Sequence, residues 1–152
     1  MRVRIIAVGT RMPGWVTTAC EEYTRRLKSS LRIDLEELAP SRDRDKDRRK
    51  ADEQARLLER AGDDYRVALD ERGKSLTTLD LARWLSQRQQ DGRNLSFLIG
   101  GPDGLGAEIL QSSDLRWSLS ALTLPHAMVR VILAEALYRA HSVLHNHPYH
   151  RE

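Results

Sequence analysis

The sequence has one cysteine, Cys20, among 152 residues. That excludes an internal disulfide framework and a zinc site built on several thiolates. A reducing compartment, the cytoplasm, is the expected setting. Aromatic residues are scarce, with 3 Trp, 4 Tyr and 1 Phe, and they are scattered. They form no platform on which an RNA-recognition sheet would stack bases. Long apolar runs are missing as well. Residues 5–8 are followed by Gly9, and the stretch at 127–140 is broken by Arg130, Glu135 and Arg139. Neither makes a signal-peptide core or a membrane span. No segment repeats at a period of 20–50 residues. Nor does one sign of charge dominate: 25 basic side chains face 22 acidic ones, a formal net of +3.

What is present is a globular mixture, 40% hydrophobic and 31% charged. A chain of this length buries about 70% of its extended surface, and residues 1–152 read as one domain. Charge is uneven along it. The first 60 residues carry 15 basic and 11 acidic side chains, whereas the remainder carries 10 and 11. That permits an anionic partner on the first part without requiring one.

The pattern predicts alternating strands and helices. Val3–Val8 is a β-branched apolar run ending at Gly9. After Pro13 and Gly14, Thr17 or Thr18 caps a helix to about Lys28. Residues 31–38 alternate apolar and polar, as in a strand near a sheet edge. Residues 42–50 are all charged and read as a solvated helix start or loop, with a phosphate-contacting lobe as the alternative. The following helix turns Ala55, Leu58 and Ala61 inward. A strand at 65–69 leads to a helix capped by Thr77 or Thr78 and ended by Gly92. Leu95–Ile99 is a buried strand, 117–124 is a strand or extended loop, and His126–Leu144 is a long helix. Apolar strands alternating with helices predict a parallel α/β sheet covered on both faces. The last helix is apolar on two sides, which predicts a homodimer that covers one of them.

The glycines after Ile99 fall at 100, 101, 104 and 106. They match neither a P-loop nor the dinucleotide fingerprint. They still let a ligand approach backbone at a strand end, or they make a plain turn. All five histidines lie beyond residue 125, yet no acidic or thiol group joins them at metal-binding spacing, so no metal is expected. Ser120 sits in no nucleophile elbow. On residues alone, an α/β nucleotide-binding module and a non-enzymatic ribosome-associated factor remain open.

Four segments in order carry a stronger signal. They are Ala7-Val8-Gly9-Thr10; Leu98-Ile99-Gly100-Gly101-Pro102; Trp117-Ser118-Leu119-Ser120-Ala121-Leu122-Thr123-Leu124-Pro125-His126; and the ending Asn146-His147-Pro148-Tyr149-His150-Arg151-Glu152. With these the whole chain resembles the ribosomal RNA large subunit methyltransferase H family. The resemblance implies a SPOUT-type parallel sheet flanked by helices with a deep C-terminal trefoil knot. It implies a homodimer that transfers a methyl group from S-adenosylmethionine to N3 of a pseudouridine in 23S rRNA on the assembled ribosome. By the same resemblance the cofactor pocket comprises Leu69, Gly100, Leu119, Ser120, Ala121, Leu122, Thr123 and Leu124. His126 is the candidate base by position. Tyr149, His150 and Arg151 reach the site on the tail, of the same or of the partner subunit, and Glu135 braces them.

Overall fold

In the computed structural model residues 1–150 are described. Ten elements follow one another: β1 Val3–Val8, α1 Gly14–Leu27, β2 Ile33–Leu38, α2 Lys46–Ala61, β3 Tyr65–Ser75, α3 Thr78–Asp91, β4 Leu95–Ile99, α4 Ala107–Ser112, β5 Leu115–Ser118 and α5 His126–Leu144. The five strands form one sheet in the order β2-β1-β4-β3-β5, every neighbouring pair parallel. The mostly apolar sequences of β1 and β4 belong to interior strands buried on both faces. The alternating β2 lies at an edge, as its pattern predicts.

Side chains of successive strand residues point to opposite faces, and two cores result. On one face Val3, Ile5, Ala7, Val67, Phe97 and Ile99 pack with α1, α3 and α5 through Leu27, Leu81, Leu85, Leu133 and Leu137. On the other, Ile6, Val8, Ala68 and Leu98 meet α2 and α4 through Leu57, Ala61 and Ile109. Helix α5 packs against both α1 and α3. Its two-sided apolar pattern therefore has an explanation within one chain, and the homodimer does not follow from that pattern.

Two polar residues interrupt the buried strands for a local reason. Arg4 Nη2 donates to Asp64 Oδ2 at 2.7 Å, and Ser96 Oγ donates to the same oxygen at 2.6 Å. A buried guanidinium and hydroxyl thus share one carboxylate, which meets the requirement that buried polar groups be paired.

Several boundaries differ from the sequence expectations. Helix α1 begins at Gly14 with Pro13 at the cap, ahead of Thr17 and Thr18. Proline presets the backbone torsion a helix start needs. The inward face of α2 is Glu53, Leu57 and Ala61, while Ala55 is exposed. Strand β3 runs on to Ser75 because Lys74 and Ser75 pair with Trp117 and Ser118 across a register shift. Strand β5 stops at Ser118, so residues 119–125 are loop. Helix α4 has only 6 residues, too short to show a period. Thr77 caps α3 with a reciprocal capping box to Asp80, and Gly92 ends it in the left-handed conformation.

Candidate functional site

Open α/β sheets bind ligands beyond the carboxyl ends of their strands. Here the ends of β3, β4 and β5 surround a cleft of about 280 Å³. Leu69, Asp70 and Glu71 come from β3, Gly100, Gly101 and Leu105 from the loop after β4, and Trp117, Leu119, Ser120, Leu122, Thr123 and Leu124 from β5 and its loop; His126 and Val129 of α5 close it. Thus Leu69, Gly100, Leu119, Ser120, Leu122, Thr123, Leu124 and His126 line one cleft. Ala121 is exposed and does not line the cleft.

The loop after β5 is ordered by its own hydroxyls. Ser118 Oγ donates to the Ser120 carbonyl at 2.9 Å, and the Leu122 N–H donates to Ser120 Oγ at 2.9 Å. Thr123 Oγ1 donates to Glu71 Oε2 at 3.0 Å, which ties the loop to β3. Ser120 and Thr123 are therefore loop formers, while Ser118 ends β5. The β4 loop is drawn tight at Gly100. A Cβ there would lie 2.8 Å from the Gly104 carbonyl carbon, a contact that no side-chain rotation relieves. The cleft is largely apolar, but Trp117 Nε1 is buried and has no hydrogen-bond partner among the described residues.

A second cavity of about 420 Å³ adjoins the cleft, and His126 lines both. Its walls include Thr10, Arg49, Glu53 and Asp103. Arg49 grips Asp103 through two bonds, Nε to Oδ2 at 2.6 Å and Nη2 to Oδ1 at 3.1 Å. The hydrogen-bonded guanidinium holds the Asp103 carboxyl below the ordinary carboxylate range. This pair anchors the charged segment 42–50 to the glycine loop. Arg48, by contrast, leaves 76% of its side chain exposed. The anchoring was hidden from sequence reasoning because residues 49 and 103 share no local period.

Glu135 and Tyr149 meet elsewhere. Tyr149 Oη donates to Glu135 Oε1 at 3.1 Å, and Arg139 Nε donates to the same oxygen at 2.8 Å. The Tyr149 ring packs edge-on against Tyr138 at 4.6 Å. Burial, with Tyr23 and Glu135 adjacent, pushes the Tyr149 phenol well above its ordinary pKa, so it stays a donor. His150 Nδ1 stands 3.2 Å from Arg139 Nη1. Neither Glu135 nor Tyr149 lines the cleft, and Arg151 lies outside the described residues. Cys20 is buried in the core, and burial raises its thiol pKa, which makes it unreactive. Among the described residues no cluster of three or more His, Cys, Asp or Glu could hold a metal, and no helix is long and apolar enough to cross a membrane.

Comparison with known proteins agrees with this architecture. The chain matches the family model described as "Predicted SPOUT methyltransferase" over residues 1–150. It is 48% identical to the ribosomal RNA large subunit methyltransferase H of Methylobacillus flagellatus, with 100% of both chains aligned. It is 50% identical to that of Paraburkholderia phytofirmans and 49% identical to that of Alkalilimnicola ehrlichii, with 99% of each chain aligned in both cases. A solved structure of a probable methylase family protein from Haemophilus influenzae superposes with a TM-score of 0.61 at 17% identity, covering 99% of this chain and 70% of that one, and so speaks to the fold alone. With five parallel strands, helices on both faces and a cleft at the strand ends, this chain belongs to the SPOUT methyltransferase family, among the relatives named ribosomal RNA large subunit methyltransferase H.

Proposed function

We propose that this protein is an S-adenosylmethionine-dependent enzyme that methylates N3 of a pseudouridine in 23S rRNA on the assembled ribosome, in the cytoplasm. The observation that carries the reading is the cleft at the ends of β3, β4 and β5, in a chain 48% identical over its full length to a ribosomal RNA large subunit methyltransferase H.

The cleft fits the cofactor's chemistry. Leucines 69, 119 and 124 offer apolar walls for an adenine, and Leu122, 73% exposed at the rim, would be covered by it. The unpartnered Trp117 Nε1 supplies a buried donor. Backbone groups around Gly100 and of the 119–124 loop hold the polar parts. Bound there, S-adenosylmethionine supplies a methyl group on a sulfonium, which leaves as a neutral thioether. The protein's main task is then to place N3 in line with that methyl. The N3 proton departs as the N–CH₃ bond forms. His126, at the mouth of the cleft, is the group positioned to receive it.

In this reading the C-terminal part is a deep trefoil knot. The enzyme acts as a homodimer. Tyr149 folds back onto Glu135, nine residues along α5 from His126, which is about 14 Å of helix. A tail docked there does not complete its own cleft, so Arg151, with Tyr149 and His150, serves the partner's site and orients the target base or its phosphate. The test is mass mapping of 23S rRNA after incubating protein and S-adenosylmethionine with undermethylated ribosomes. One added methyl on a single pseudouridine is expected; an unmodified rRNA overturns the reading.

A further inference from the structure

The second cavity contains an unexplained acceptor. Glu53 lies on the inward face of α2 and is only 4% exposed. Burying a carboxylate is unfavourable unless its oxygens find partners. Oε2 accepts the Ser41 N–H at 2.9 Å. Oε1 is fully buried and accepts no hydrogen bond among the described residues. It lies beside Gly101, where a Cβ would come within 3.3 Å of it. Gly101 also lines the cofactor cleft, so Oε1 stands at the wall between the two cavities.

The neighbouring cation does not satisfy it. Arg49 commits its Nε and Nη2 to Asp103, and its Nη1 to the Asp43 and Arg44 carbonyls at 3.1 and 3.4 Å. Glu53 therefore contributes to the field around Arg49 without receiving a hydrogen bond from it. A second unpartnered atom faces the same region: His126 Nδ1 is buried with no partner among the described residues. The cavity thus joins the cleft through a histidine and holds one fixed carboxylate oxygen in the wall it shares with the cleft.

That arrangement suits a planar base with two ring N–H groups. In pseudouridine the sugar is attached to carbon, so N1 keeps its hydrogen while N3 is the methyl acceptor. In uridine N1 carries the sugar and that donor is gone. Resting on the function proposed above, we propose that the second cavity receives the target base and that Glu53 Oε1 accepts its N1–H, which makes Glu53 the residue that selects pseudouridine over uridine. Uridine in the same pose leaves the carboxylate oxygen buried and unpaired, and a site built around a missing hydrogen bond rejects such an analogue strongly. Glu53 is a specificity residue; it takes no part in moving the methyl group.

The test compares two substrates. Ribosomes lacking the methyl group are prepared with pseudouridine at the target, or with uridine by omitting the pseudouridine synthase. Single-turnover methylation is measured for the wild type and for Glu53→Gln. The Gln variant keeps the shape and, with its carbonyl oxygen on the Ser41 N–H, turns an amide donor toward the base. The wild type is expected to favour pseudouridine by at least about tenfold. Glu53→Gln is expected to lose at least about tenfold on pseudouridine and less than about twofold on uridine, with unchanged S-adenosylmethionine affinity by calorimetry. Glu53→Asp, which withdraws the oxygen by one methylene, is expected to do the same and serves if the Gln variant does not fold. A preference that survives both substitutions, or an equal loss on both substrates, overturns the assignment. A wild type inactive on both substrates overturns instead the function on which the assignment rests.

Discussion

Arg130 and Gly9, 121 residues apart, meet through a buried hydrogen bond in which Arg130 Nη2 donates to the Gly9 carbonyl at 2.8 Å. The same guanidinium pairs with Glu37 through Nη1. One side chain of α5 thereby fixes the end of β1 and the end of β2 beside His126. Gly9 has φ of +131°, and a Cβ there would lie 3.1 Å from Arg130 Nη2, so the contact also demands glycine.

Arg130→Met is therefore expected to cost about 2–4 kcal/mol of unfolding free energy, measured by urea denaturation. Removing the cation strands the Gly9 carbonyl. Glu37 is 38% exposed and recovers solvent, which keeps the loss below that of a fully buried pair. A loss under about 0.5 kcal/mol would show that the contact contributes little.

Gly100→Ala is expected to weaken S-adenosylmethionine binding by at least about tenfold in calorimetry while the protein stays folded. The added methyl meets the Gly104 carbonyl oxygen at 2.9 Å and the Leu105 nitrogen at 3.1 Å, so the loop that lines the cleft must move.

Arg151→Ala is expected to abolish methylation and leave cofactor affinity nearly unchanged, as befits a residue that orients substrate. Mixing this variant with one defective in the cofactor cleft should restore activity, because a mixed dimer contains one intact composite site. Failure of such mixtures to regain any activity would count against a tail working in trans.

The charged segment divides into an anchor, Arg49, and more exposed cations such as Arg48, whose ion pairs with Asp43 and Asp45 are local. Arg48→Ala with Lys50→Ala is expected to weaken ribosome binding, more so at low salt, without altering cofactor affinity. Arg49→Ala instead frees Asp103 and loosens α2 from the glycine loop, and should lower thermal stability. Equal effects of the two changes on ribosome binding, with no change in melting temperature, would contradict the division.

Burial, followed by the charges of His145 and His147, lowers the His141 pKa from its ordinary 6.5. A histidine harder to protonate in the folded state adds stability above the unfolded value. That stability is lost as pH falls below about 6.5 toward the lowered pKa. The melting temperature should thus drop between pH 7 and 5 in the wild type and more gently in His141→Gln.

Much of this was legible from residue patterns. The bounds of β1, β4 and α5 follow from mostly apolar runs with Gly9, Gly100 and Pro125 as punctuation. Leu69, Gly100 and the 119–124 loop were found through the family resemblance rather than through spacing. Glu53 was missed because a charged residue on a helix reads as solvent-facing, and only the pairing of Ser41 with Oε2 explains its burial. Asp70, Glu71 and Trp117 joined the cleft through the pairing of β3 with β5, which no local period announces, and Val129 reached it from the first turn of α5. The tail's return onto Glu135 likewise depends on a contact between distant turns of one helix and a non-periodic segment.

Gly101 lines the first cavity with backbone alone, and a Cβ on it would come within 3.3 Å of Glu53 Oε1, whose residue lines the second. Helix α2 lines only the second cavity, and the 119–124 loop only the first. On the assignments proposed above, donor affinity and acceptor choice are modular. Substitutions on α2 would then change which base is accepted without retuning the methyl donor, and a new nucleobase specificity would lie within reach of variation at that one helix.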